Sequence, residues 1–189
     1  MLLPDKKRLF YLSWLTLGGM SAIGILLINY LQHRDVSDTL TGGPKNYYLQ
    51  TVTGLFFGSL AALLGVAFIN IKRFKNVRTF FEGLVGEINP SLLHIFFYSF
   101  CAGVGEEILF RAGVQPLIGI WPAAMLFVFL HGYLNPTNMN MTIYGTFLII
   151  VSAGFGYLFK YFGLLSSVIA HIIYDIAIFS VLKYSERRR

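Results

Sequence analysis

Gly105-Glu106-Glu107-Ile108-Leu109-Phe110-Arg111 places three charges directly behind the apolar run 92–104, and the reading of this stretch decides the fold. Ionisable groups at membrane depth are costly and turn toward the interior of a helix bundle, so two carboxylates and a guanidinium here mark a functional site. At about 100° per residue, Glu107 and Arg111 lie about 40° apart on one helix face, and Glu106 lies about 140° from Arg111. The acid precedes the base, the favourable order for an i,i+4 ion pair. Glu107 is therefore the expected structural partner of Arg111, and Glu106 is left for general acid or base work. The plainer alternative is a charged patch where a helix leaves the membrane.

Composition sets the class. Of 189 residues, 56% are hydrophobic and only 13% charged, too apolar a balance for an ordinary soluble domain. The expected fold class is all-α, a polytopic membrane protein with about six transmembrane helices and a four-helix catalytic core. A net charge of +6 raises the question of nucleic acid. The bases, however, flank apolar segments: Lys6-Lys7-Arg8, then Lys72, Arg73, Lys75 and Arg78, then Lys183 with Arg187-Arg188-Arg189. That is the pattern of cytoplasmic membrane flanks, so no nucleic-acid partner is expected. The single cysteine, Cys101, forms no intramolecular disulfide and reads as a packing residue.

In chain order, residues 9–31 form a retained first span behind a basic start. A polar loop over 32–45 leads to a second span, 49–71. There Gly54 and Gly58, continued by Ala61, Ala62 and Gly65, suit close helix packing, within the molecule in preference to between copies. Residues 72–89 are a charged connector whose stretch 79–85 is amphipathic enough to lie on the membrane surface. Asn89-Pro90-Ser91 starts the third span, where His94 is interfacial and has no catalytic role. The stretch 112–121, interrupted by Gly113, Pro116 and Gly119, is expected to be broken or re-entrant. Trp121-Pro122 then opens a helix through His131, followed by spans 142–159 and 164–182. Six spans return both termini to the cytoplasm. Residues 1–189 form one membrane domain, with 1–89 an accessory helix pair and connector and 90–189 the catalytic core.

The ionisable residues within the apolar runs of that core are Glu106, Glu107, Arg111, His131, His171 and Asp175. His171 and Asp175 stand at i,i+4, close enough for the carboxylate to hold the imidazole in one tautomer. Two histidines and three acids on separate helices match a water-activating site with charge stabilisers.

Glu-Glu-x-x-x-Arg at 106–111, Phe-x-x-x-His at 127–131 and His-x-x-x-Asp at 171–175 together resemble the CPBP (Abi) family of intramembrane endopeptidases. That family includes CAAX prenyl endopeptidases and bacteriocin-processing or self-immunity proteins. The resemblance covers about 90–182. It implies that Glu106, with His131, activates the attacking water, that Glu107 and Arg111 complete the first motif, and that His171 and Asp175 stabilise the oxyanion. CAAX-type members often carry Asn at the last position, where an amide donates to the oxyanion. Asp175 is therefore either a neutral donor or a carboxylate serving His171. The resemblance implies a membrane-associated protein or peptide substrate within the lipid bilayer, and no metal or cofactor.

Two other classes stay open on the residues alone. A metal hydrolase would use the same Glu, His and Asp as ligands, although His-Glu-x-x-His is absent. A non-enzymatic membrane protein, such as a proton-coupled carrier, would use a buried Glu/His relay.

Overall fold

The computed structural model describes residues 6–44 and 46–186, and all regular structure among them is helical. The basic tail residues Arg187, Arg188 and Arg189 lie outside the described residues. Helix α1 runs over Lys6–Leu31 and the short α2 over Val36–Thr41. The long α3 covers Tyr47–Asn70, and α4 covers Lys75–Ile88. Then come α5, Leu92–Ile118, and α6, Ile120–Leu130. The chain ends in α7, Met139–Phe162, and α8, Leu164–Glu186. Five of these, α1, α3, α5, α7 and α8, are long and apolar enough to cross a membrane. The sixth apolar helix, α6, has 11 residues, which at 1.5 Å per residue gives about 16 Å, half of a hydrocarbon core.

Side-chain and backbone chemistry sets the helix ends. Ser91 Oγ accepts a hydrogen bond from the backbone N–H of His94 at 3.2 Å and caps α5. His94 Nδ1 lies 2.5 Å from the same hydroxyl, so the ring belongs to the cap. Between α5 and α6 the only break is Gly119, whose φ of +92° reverses the chain. The expected broken stretch 112–121 is otherwise helical. Pro116 is accommodated because the helix widens to a π-turn over Ile108–Val114 just before it. Pro116 has no N–H to give the carbonyl of Ala112. Gln32 Nε2, at the end of α1, donates to that oxygen at 2.8 Å and to the Gly113 oxygen at 2.7 Å.

Small residues decide which helices touch. A methyl group on Gly58 would sit 2.6 Å from the carbonyl oxygen of Ala170 and 2.8 Å from its Cα, and one on Gly54 would sit 2.6 Å from the Ser166 oxygen. The Gly54–Gly58 pair therefore docks α3 on α8 within the molecule. Gly24 of α1 meets the Ile108 backbone of α5 in the same way. The first two spans thus pack against different core helices. Helix α4 turns Val77, Val85 and Ile88 inward. Arg78 pairs with Glu82 one turn along the same helix at 2.7 Å and joins α4 to the bundle through Asn70 of α3 and Ser185 of α8, at one end of the bundle.

Gly58→Val should lower thermal stability in detergent by about 1–3 kcal/mol, the usual cost of forcing methyl groups into a close contact. Gly83→Ala, where an added methyl meets nothing within 4 Å, should not lower it. Equal unfolding midpoints for Gly58→Val and wild type would contradict the α3–α8 contact.

Candidate active site

Glu106 and Glu107 are consecutive on α5 and therefore point about 100° apart. Glu107 faces the protein interior and is fully buried, as is Arg111. Arg111 Nε donates to Glu107 Oε2 at 3.0 Å, so the i,i+4 pair expected from the sequence is formed even though the π-turn begins between the two residues. Arg111 Nη2 donates to Ser152 Oγ of α7 at 2.9 Å, and the guanidinium carbon lies 5.6 Å from the centre of the Phe127 ring.

The second oxygen of Glu107 does something that spacing did not reveal. Oε1 accepts from His171 Nδ1 at 2.9 Å. Asp175 Oδ2, one turn along α8, is 3.7 Å from His171 Nε2, beyond hydrogen-bond distance. Glu107, not Asp175, holds this imidazole. Phe155 of α7 stacks on its face at 5.3 Å between ring centres, with 21° between planes.

Glu106 points into the space that these contacts leave. Its Oε2 lies 3.8 Å from His171 Nε2 and 3.7 Å from His131 Nε2. His131 Nδ1 donates to the carbonyl of Phe127 at 2.7 Å, which assigns the ring proton to Nδ1 and leaves an Nε2 lone pair facing Glu106. All six candidate residues therefore form one connected cluster.

Alternation of six full spans would set His131 and Glu106 at different depths. The short α6 resolves this. From Glu106 to the end of α5 is about 18 Å, and from Gly119 back along α6 to His131 is about the same. The loop after His131 consequently lies at membrane depth, a position irregular backbone tolerates only when it is buried in protein or lines a hydrated cavity.

Such a cavity is present, with a volume of about 400 Å³. Glu106, His131, His171 and Asp175 lie in its wall, and Tyr133, Tyr144 and Tyr174 continue the polar side. The rest is apolar, from the start of α1 (Leu9, Leu12), the middle of α4 (Phe81, Leu84) and the end of α8 (Phe179). Sequence reasoning passed over Ser152 and Phe155. Ser152 was detectable as a hydroxyl in an apolar span, but nothing local says that it faces Arg111. No group of three or more His, Cys, Asp or Glu side chains with metal-site spacing occurs among the described residues. Cys101 is fully buried, in keeping with packing.

Residues 88–177 match the family described as Type II CAAX prenyl endopeptidase Rce1-like. No curated protein and no solved structure matches the chain. The matched segment begins at the end of α4 and closes two residues past Asp175, so it contains the whole cluster. Over residues 88–177 this integral membrane protein is thus similar to the Rce1-like type II CAAX prenyl endopeptidases.

Proposed function

We propose that the chain is a glutamic intramembrane endopeptidase in which Glu106 and His131 activate water and His171 with Asp175 stabilises the oxyanion. The family match supports a hydrolase of the CAAX-protease type with a membrane-associated substrate. The observation that carries the finer reading is the division of labour between adjacent glutamates. Glu107 is occupied by Arg111 and His171, whereas Glu106 faces two imidazole Nε2 atoms at 3.7 and 3.8 Å.

Those separations suit a water held at about 2.8 Å from both Glu106 and His131. His131 accepts one water hydrogen bond through Nε2 while Glu106 removes the other proton, and the hydroxide adds to the scissile carbonyl carbon. The oxyanion then takes hydrogen bonds from His171 Nε2–H and from Asp175. His171 Nδ1–H is already given to Glu107, so an Nε2–H donor requires the imidazolium, whose charge the surrounding carboxylates offset. Collapse of the tetrahedral intermediate breaks the C–N bond, and Glu106 returns its proton to the leaving amine. Because Glu107 already orients His171, Asp175 is free to be a neutral donor, the role an amide fills in relatives with Asn there.

The apolar walls suit a lipid-modified or otherwise apolar peptide end. The same face of the bundle holds the basic start of α1, the connector bases and Lys183, which supports a cytoplasmic mouth with both termini inside. Residues 1–89 act as accessory elements to the 90–189 core while contributing part of the cavity wall.

Glu106→Gln should lower turnover of a membrane peptide substrate by roughly 10²- to 10⁴-fold, the usual worth of a positioned base, with its unfolding midpoint unchanged. Arg111→Ala should instead lose about 3–5 kcal/mol of stability, because it strands a buried carboxylate. A fully active Glu106→Gln enzyme would overturn the mechanism. Asp175→Asn should keep turnover within roughly tenfold of wild type. A larger loss with a displaced pH profile would assign Asp175 as an ionised partner of His171. In a Cys101→Ala background, His131→Cys should react with an impermeant thiol reagent only from the cytoplasmic side of oriented vesicles. Reaction from the other side alone would reverse the proposed topology.

A further inference from the structure

His131 caps the C-terminal end of α6 directly after Leu130, and the two residues after it are arranged around its ring. Gly132 takes φ +75°, the left-handed conformation that ends many helices. Its N–H donates to the Phe129 oxygen at 2.9 Å, and the N–H of Tyr133 reaches back toward the Val128 oxygen at 3.4 Å. This pair of reversed bonds folds residue 133 back beside the helix end. The Tyr133 ring consequently lies parallel to the His131 imidazole, 6.0 Å between centres and 1° between planes. The Phe127 ring lies 4.3 Å from the imidazole. Tyr133 is braced in turn by Tyr144 at 5.9 Å, edge-on, and by Phe81 of α4 at 6.0 Å.

Hydrogen bonding alone leaves the imidazole one degree of freedom. The Nδ1–H bond to the Phe127 carbonyl tethers one atom and permits the ring to swing about it, which would carry Nε2 away from Glu106. The His131 side chain is 31% exposed against 10% for Glu106, so solvent borders it on the side that the aromatic rings leave open. We propose that Tyr133 is a positioning residue, set by the Gly132 turn, whose ring fixes the plane of His131 and so aims Nε2 at the water that Glu106 deprotonates. The proposal rests on the assignment of His131 to that water. What Tyr133 supplies is its aromatic face, so Phe serves equally and an aliphatic side chain of similar size does not. Gly132 contributes through its backbone: an added methyl there meets nothing within 4 Å, and the cost of Gly132→Ala is the positive φ alone.

Two readouts test this in the full chain reconstituted in lipid. The first is steady-state cleavage of a membrane peptide. Tyr133→Leu and Tyr133→Ala should lower kcat by roughly 10- to 100-fold, the scale of a small misplacement of a reacting group, with KM within about twofold of wild type. Tyr133→Phe should restore kcat, and Gly132→Ala should show the same loss as Tyr133→Leu. The second is the ¹⁵N signal of His131 in histidine-labelled protein, which should report Nδ1–H in all variants, with a single Nε2 shift in wild type and Tyr133→Phe and a displaced or broadened Nε2 signal in Tyr133→Leu. Wild-type kcat together with unchanged His131 signals in Tyr133→Leu would overturn the proposal, as would a Tyr133→Phe enzyme no better than Tyr133→Leu. The ¹⁵N readout is independent of turnover. A fully active Glu106→Gln protein would sink the catalytic assignment while the Nε2 signal still judged the clamp.

Discussion

The bundle is built around one buried ion pair, Glu107 with Arg111. Neither side chain is exposed, and an ion pair in a low-dielectric interior does little for stability compared with apolar residues of the same size. Its effect here is on geometry. Glu107 spends its second oxygen on His171, and Arg111 spends a further nitrogen on Ser152 and lies near the Phe127 ring. A single charge pair thus ties α5 to α6, α7 and α8, and any shift of one helix against another leaves a charge without a partner. The proposed mechanism needs the same helices held in register around Glu106 and His131, so the most costly element of the fold and the requirement of that mechanism coincide.

The shortness of α6 has an equally direct effect. A helix of 11 residues that starts at the far end of α5 ends at the depth of Glu106. A full span would have carried His131 past it. The loop that follows is left at membrane depth, and the tyrosines and carboxylates around the cavity supply the polar surroundings such a loop requires.

Much of this was readable before any coordinates. The charge pattern behind 92–104 identified a membrane bundle with buried charges inside it, i,i+4 spacing paired Glu107 with Arg111, and Gly54 with Gly58 announced a close helix contact without saying which helix would make it. The contacts that escaped are those between residues far apart in the chain. Asp175 looked like the partner of His171 because it is one turn away, yet Glu107, 64 positions distant, makes the bond. Ser152 and Phe155 carry no local mark of facing Arg111 and His171. The break expected across 112–121 shrank to Gly119 because local breaker signals do not register a remote donor: Gln32 compensates Pro116 from another helix.

That compensation by Gln32 has a consequence for permeability. The two carbonyl oxygens it covers lie at the end of α5 remote from the cavity mouth, a few residues beyond Arg111. Uncovered, they would be acceptors for water on that side, on the same helix as Glu106 and Glu107. A protein that admits water to a glutamate inside a bilayer has made half of a proton channel. The amide of Gln32 fills the acceptor positions on the other side with a protein donor in place of water.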